Sequence, residues 1–132
     1  MTPSVEVTMD ALDAEAVASW WAGALGYRRI HGRSPYVVLG PLNGDARPRL
    51  VIQQVDEVTR GKTPVHLDLR VDDPALEVDR LTSLGASVAW VVDETDDGFI
   101  GWTTMTDPWG TLFCVCPARP EPEEMTRSDV AS

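Results

Sequence analysis

Residues 63–73, TPVHLDLRVDD, decide the fold prediction for this chain. Apolar and polar residues alternate in this stretch, and alternate side chains of a β-strand point to opposite faces. The apolar face of the predicted strand comprises Val65, Leu67, Leu69 and Val71. The opposite face carries His66, Asp68 and Arg70. This polar row is either a solvated surface or the lining of a binding site.

The same stretch leads directly into a predicted helix. Asp73 is suited to the N-cap, Pro74 occupies the favoured first helical position, and Gly85 ends the helix. An earlier segment, LDAEAVASWWAGALGY at residues 12–27, has the same kinds of helix start and stop residue, Asp13 and Gly26. The chain therefore contains two helices with matching start and stop signals.

The first helix also shows a clear apolar period. Its apolar residues follow the i, i+3, i+4, i+7 spacing of one buried helix face. They are Val17, Trp20, Trp21 and Ala24. We predict that this face packs in the core.

Each predicted helix follows one strand-like segment and precedes three more. SVEVTMD precedes the first helix, and YRRIHG, YVVLG and RLVIQQV follow it. PVHLDLRVD precedes the second helix, and SVAWVVD, FIGWTTMTD and TLFCVCP follow it. Turn-forming residues separate the strands, including the sequence DPWG at residues 107–110. The pattern therefore predicts the order βαβββ twice.

The repeat sets the predicted domain organisation. We expect a single domain at residues 1–117, with module one at 4–55, a linker at 56–63 and module two at 64–117. Residues 118–132 are rich in proline, glutamate and small polar residues, which is typical of a flexible acidic tail.

Composition narrows the class of partner. The chain has 132 residues, of which 43% are hydrophobic and 24% charged, as in an ordinary globular domain. Its net charge of -10 argues against nucleic acid or an anionic membrane as the partner. The same charge would suit a cationic small ligand, although solubility alone explains it more simply.

The two cysteines and the first residues indicate a compartment. Cys114 and Cys116 lie two apart on one predicted strand, which is poor geometry for a disulfide. The first ten residues contain no basic segment followed by an apolar one, and no apolar run reaches membrane-spanning length. We therefore expect a reduced, cytoplasmic protein.

The repeated pattern resembles the vicinal oxygen chelate superfamily, which includes glyoxalase I, bleomycin-resistance proteins and extradiol dioxygenases. The segments that carry the resemblance are LDAEAVASWWAGALGY, VHLDLRVDD, LTSLGA and DPWGTLFCV, and they look most like small bacterial glyoxalase-like domains. The resemblance covers Val5 to Pro117. It implies an α+β fold in which two βαβββ modules form half-barrels around a concave cavity, with the helices packed outside. It also implies a homodimer.

The resemblance further implies positions for a divalent metal ion. Metal enzymes of the superfamily take one ligand from the first and last strand of each module. Those positions correspond here to Glu6, Gln53, His66 and Cys114. Gln53 offers a neutral amide oxygen and Cys114 a soft thiol, a mixture that suits zinc better than harder ions. The alternative is that the metal has been lost and these residues line a metal-free pocket.

Strand alternation predicts further ligand-binding residues beside these positions. They are Thr8, Asp10, Asp68, Arg70, Trp90 and Trp102. Ordinary structural roles are the alternatives: His66 hydrogen-bonded to Asp68, an ion pair between Asp68 and Arg70, and tryptophans packed in the core.

Three functions remain open at this point: sequestration of a ligand, metal-dependent catalysis, and a catalytically silent dimerisation or sensing domain. The first is a small-molecule-binding protein that sequesters an organic ligand in an acidic, partly aromatic cavity, as bleomycin-resistance proteins do. The alternative is a metal-dependent lyase, isomerase or dioxygenase, in which Glu6 would act as a base. Glyoxalase I activity itself is not expected, because the predicted ligand set departs from the superfamily pattern.

Overall fold

The computed structural model describes residues 4–42, 45–59, 63–93 and 101–119. The chain divides into two compact units, Met1–Arg60 and Gly61–Ser132, and the division falls inside the predicted linker at 56–63. The predicted tail at 118–132 lies, from residue 120 onward, outside the described residues. That the two units form one domain stays a prediction.

Module one contains one helix and four strands. They are β1 (Glu6–Ala11), α1 (Ala14–Leu25), β2 (Tyr27–His31), β3 (Tyr36–Pro41) and β4 (Arg49–Gln54). The strands form an open four-stranded sheet in the order β1-β4-β3-β2. The first strand runs parallel to the last, and the other neighbours are antiparallel.

Module two repeats this arrangement. Its elements are β5 (Leu67–Val71), α2 (Pro74–Ser83), β6 (Ser87–Val92), β7 (Trp102–Thr106) and β8 (Leu112–Pro117). The sheet order is β5-β8-β7-β6, again with the first strand parallel to the last. The predicted α+β class and the two βαβββ modules are therefore confirmed. Within the described ranges, no helix is long and apolar enough to span a membrane.

The predicted helix caps are present in both modules. The Ala16 N–H donates to Asp13 Oδ1 at 3.2 Å, and the Leu76 N–H donates to Asp73 Oδ1 at 3.1 Å. These contacts satisfy backbone donors that a helix start leaves without an intrahelical acceptor. Gly26 ends α1 with a φ of 67°, in the left-handed region that glycine adopts without strain.

The packed face of α1 differs in part from the prediction. Trp21 is fully buried, and Val17 and Ala24 are buried beside it on the helix, as predicted. Trp20 is only half-buried and meets Trp21 edge to face, with ring centroids 5.0 Å apart. The prediction that Trp20 belongs to the buried face was therefore too broad, because Trp20 lies at the margin of that face.

The core of module two lies between α2 and its sheet. Among its described residues, the largest fully buried side chains are Leu81, Met105, Phe113 and Val115. Val65 was predicted to share the apolar face of β5, but it is 75% exposed. The prediction failed there because β5 begins at Leu67, so Val65 precedes the strand pairing that holds the apolar face against the core.

The DPWG segment forms the predicted turn between β7 and β8. The Gly110 N–H donates to the Asp107 carbonyl at 3.0 Å. Asp107 Oδ1 accepts from the N–H groups of Trp109 at 3.0 Å and Thr111 at 2.9 Å. Asp107 is buried, so one carboxylate organises the turn from inside the protein. This turn sets where β8 begins.

The neighbouring tryptophans of α1 provide a test of the packing. We expect Trp21→Ala to lower the free energy of unfolding by about 3–5 kcal/mol, because a fully buried ring is replaced by a cavity. Trp20→Ala, at a half-buried position, should lower the free energy of unfolding by clearly less than Trp21→Ala does. Urea denaturation of both variants measures the difference. Equal losses would contradict the assignment of Trp21 as the core residue of the pair.

The turn carboxylate gives a second prediction. Asp107→Ala removes the acceptor of two backbone N–H groups and should destabilise the protein by about 2 kcal/mol. Asp107→Asn keeps a side-chain oxygen and should recover most of that loss. Urea denaturation again reports the result. An Asn variant as unstable as the Ala variant would show that the acceptor geometry is not what matters.

Candidate functional site

One face of the module-two sheet collects most of the predicted site residues. In the strand register, Asp68 is the partner of Cys114 and Arg70 the partner of Cys116. On its other side, Cys114 is the partner of Thr104. Directly paired residues of neighbouring strands share a face of the sheet. Asp68, Cys114 and Thr104 therefore lie side by side across β5, β8 and β7.

Both predicted ligand-binding tryptophans lie on this same face. Trp90 on β6 is the partner of Thr104, after a register shift between Val88 and Trp90. Trp102 lies two residues before Thr104 on β7 and so points the same way. Trp90 is 46% exposed and Trp102 is half-buried. We call this surface the polar face of module two; it comprises His66, Asp68, Arg70, Trp90, Trp102, Thr104, Cys114 and Cys116.

The row formed by His66, Asp68 and Arg70 is a connected chain of polar contacts. His66 Nε2 lies 3.1 Å from Asp68 Oδ1, and an Arg70 guanidinium nitrogen lies 4.0 Å from Asp68 Oδ2. Arg70 also donates to the Pro117 carbonyl at 3.1 Å. The contact between His66 and Asp68 is the structural alternative that the sequence allowed. All three side chains are partly exposed, and ion pairs in such surroundings contribute little to stability.

The cysteines of the polar face are buried free thiols. Cys114 Sγ lies 3.5 Å from Thr104 Oγ1, and either atom can be the donor. The pKa of Cys116 is raised, first by burial and then by the negative charge of Asp68, while Arg70 lowers it. The expectation of no disulfide is thus confirmed for this pair.

Three side chains of the polar face could hold a metal ion together. His66, Asp68 and Cys114 each offer one donor atom, and these atoms all lie within 4.8 Å of one another. Donors around a tetrahedral zinc ion stand roughly 3.3–3.8 Å apart, so modest side-chain rotations would bring these atoms to that spacing. Nitrogen, oxygen and sulfur donors all bind zinc, whereas magnesium and manganese prefer oxygen. The donor set therefore fits zinc.

The remaining predicted residues lie on one face of module one. Glu6, Thr8 and Asp10 alternate along β1 and are exposed, and Gln53 is the partner of Asp10 on β4. Glu6 lies 3.9 Å from an Arg49 guanidinium nitrogen. The structure thus divides the predicted site residues into two sets, one on each module.

The strand register changes how the two modules correspond. Asp13 and Asp73 cap the two helices, so residues at equal distances before these caps are equivalent. Glu6 then corresponds to His66, as predicted, and Thr8 to Asp68. Glu6 and His66 are thus equivalent positions of a repeated strand.

The last strands correspond differently from the prediction. Thr8 is the partner of Val51, and its equivalent Asp68 is the partner of Cys114. Val51, not Gln53, is therefore the module-one equivalent of Cys114, and Gln53 corresponds to Cys116. The sequence-based alignment of Gln53 with Cys114 was wrong by two residues, because a shift of two keeps the same alternation. Gln53 as a metal ligand stays a prediction.

Thr104 is the residue of this face that the sequence analysis did not single out. Nothing in WTTMT distinguishes it from its threonine neighbour, and only the pairing of β7 with β8 puts its hydroxyl beside Cys114. Alternation along β7 does indicate that Thr104 shares a face with Trp102. It does not indicate which residue of β8 is paired with Thr104.

Comparison with known proteins identifies the family. A model of the glyoxalase-like domain matches residues 6–116. No curated protein matches the sequence.

Solved structures share the fold at low sequence identity. A glyoxalase/bleomycin resistance protein/dioxygenase family enzyme from Burkholderia phytofirmans PsJN is 15% identical, with a TM-score of 0.70 over 86% of this chain and 97% of that one. The fosfomycin resistance protein FosX from Listeria monocytogenes is 13% identical, with a TM-score of 0.71 over 94% and 98%. A bleomycin-binding protein complexed with bleomycin is 17% identical, with a TM-score of 0.62 over 89% and 100%.

These likenesses show the fold, and the family match covers both modules from β1 to β8. Proteins of one fold carry different chemistries, so the activity has to be argued from the site. The chain belongs to the glyoxalase-like domain family, whose model matches it over residues 6–116.

Proposed function

We propose that this protein binds and sequesters a small organic ligand on the polar face of module two. The observation that carries the proposal is the grouping of two tryptophans with the row His66, Asp68 and Arg70 on one side of a sheet. Small-molecule sites combine apolar or aromatic walls with a few placed polar groups. A merely solvated strand face would not need large aromatic side chains next to its charged groups.

A cationic, flat ligand suits this surface best. Trp90 and Trp102 offer ring faces that attract cations, and the Asp68 carboxylate adds a negative charge nearby. The net charge of -10 raises the local concentration of cations around the whole chain. A bleomycin-binding structure with the same fold supports this class of ligand. In module one, Thr8 and Asp10 stay proposed ligand contacts, on the exposed side of β1.

A second candidate function is a metal-dependent lyase, isomerase or dioxygenase. The observation that favours it is the approach of donor atoms from His66, Asp68 and Cys114. A divalent ion bound there would supply Lewis-acid chemistry. Arg70 would orient Asp68 from its other oxygen, and Glu6 is the proposed base, as an exposed carboxylate beside Arg49. For either function, we expect the protein to be located in the cytoplasm.

Ligand binding is tested with two probes, bleomycin and the flat cation proflavine, by isothermal titration calorimetry in the presence of EDTA. Trp90→Ala should weaken binding roughly 2- to 30-fold, the range expected for loss of a cation–π contact. Trp109→Ala is the matched control, because Trp109 lies in the turn before β8 and not on the polar face. Failure of both probes to bind, or equal losses in the two variants, would argue against this site.

We also propose that the protein is a homodimer. The edge strand β6 supports this, because Val88 and Val91 are exposed on the side opposite Trp90, with Val91 58% exposed. Light scattering at micromolar concentration should give twice the chain mass of 14.5 kDa. Val91→Glu, which puts a charge on this strand, should shift the mass toward the monomer. A monomeric mass for the unaltered chain would contradict the proposal.

A further inference from the structure

We infer that module two holds one thiolate-containing metal site, formed by His66, Asp68 and Cys114 and selective for zinc over manganese. The inference deepens the second candidate function and rests on it. It differs from the four ligand positions that the superfamily pattern implies, because all three donors come from one module and Asp68 is among them.

Backbone pairing places two of the three donors, Asp68 and Cys114, before any metal arrives. Asp68 and Cys114 are direct partners in the parallel ladder of β5 and β8. His66 lies two residues before Asp68 and reaches the same carboxylate at 3.1 Å. Because the strand register holds Asp68 and Cys114 and His66 already contacts Asp68, side-chain rotations are enough to close the site.

Neighbouring groups outside the donor set contact two of the three donors, Cys114 and Asp68. The Thr104 hydroxyl is buried and lies 3.5 Å from Cys114 Sγ, where it can donate to a thiolate. Arg70 lies 4.0 Å from Asp68 Oδ2, while Asp68 Oδ1 faces His66. Metal ligands in proteins are commonly held by such hydrogen bonds and charges in the surrounding shell. The polar face supplies this support for two of the three donors.

The donor chemistry determines the choice of ion. Cys114 is 7% exposed, whereas the side chains of His66 and Asp68 are 40% exposed, so the site has a buried sulfur side and an open side. Thiolate and imidazole select zinc, while manganese prefers carboxylates and water. Three protein donors also leave one tetrahedral position for water or a ligand oxygen.

Module one lacks the same set at equivalent positions. The counterparts of His66, Asp68 and Cys114 there are Glu6, Thr8 and Val51. A neutral hydroxyl and an aliphatic side chain replace two of the three donors. The inference therefore requires one metal ion per chain.

Co²⁺ is the probe for this site, because Co²⁺–thiolate bonds give a charge-transfer absorption band. The reduced, chelator-treated full-length protein is titrated with Co²⁺ and should show this band with a stoichiometry of one. Zn²⁺ should displace Co²⁺ and abolish the band, whereas the same concentration of Mn²⁺ should not.

Matched variants assign the donors. Cys114→Ser should abolish the band while Cys116→Ser keeps it, and His66→Ala should lose Co²⁺ affinity while His31→Ala on β2 does not. Thr104→Val removes only a group that supports the ligand Cys114, and it should lower the Co²⁺ affinity roughly 10- to 100-fold. Asp68→Asn changes a ligand itself and should lower this affinity at least as much. Circular dichroism and urea unfolding of each variant confirm that the fold is retained.

Three results would overturn the inference: no thiolate band, displacement by Mn²⁺, or a greater loss of affinity in Glu6→Gln than in Asp68→Asn. The experiment also separates this inference from the function on which it rests. Catalysis supported by Mn²⁺ without a Co²⁺–thiolate band would support the metal-dependent enzyme and contradict this metal site. A Co²⁺–thiolate band without turnover of lyase, isomerase or dioxygenase substrates would support this metal site and contradict the metal-dependent enzyme.

Discussion

The parallel pairing of the first and last strand is the constraint on which each module depends. In module two this ladder puts Asp68 against Cys114, although almost the whole module separates them in the sequence. Parallel neighbours cannot be joined by a tight turn, so a helix and two strands fill the connection. A slip of one residue would turn Cys114 toward the helix and Val115 toward the polar face. The site therefore depends on the register as strictly as the core does.

The two modules keep one architecture with different surfaces. The aspartate caps repeat, and one fully buried helix residue lies at the same distance after each cap, Trp21 in α1 and Leu81 in α2. The exposed positions on the other side of each sheet carry no such requirement and have diverged. His66 and Asp68 in module two stand where module one has Glu6 and Thr8. This freedom is the physical basis for different chemistries on one fold.

The proposed ligand site and the proposed metal site share the same few side chains of the polar face. Without a metal, the His66 ring meets the Asp68 carboxylate at 3.1 Å, and both side chains are open to an organic ligand. A metal ion bound there would be held by His66, Asp68 and Cys114, with the cysteine as its thiolate, and would supply Lewis-acid chemistry. The two proposed functions therefore compete for these side chains, with Trp90 and Trp102 on the same face of the sheet.

Local sequence determined the caps at Asp13 and Asp73, the βαβββ order and the polar row of residues 66–70, because capping and alternation depend on residues a few positions apart. It overestimated the burial of Trp20, which lies at the margin of the buried helix face, and of Val65, which precedes the paired part of β5. Only the tertiary structure decided that Val51 is the counterpart of Cys114, that Thr104 lies beside that thiol, and that Asp68 joins the donors. The reason is physical: alternation defines which face a residue takes, but only hydrogen bonding between distant strands defines its neighbour.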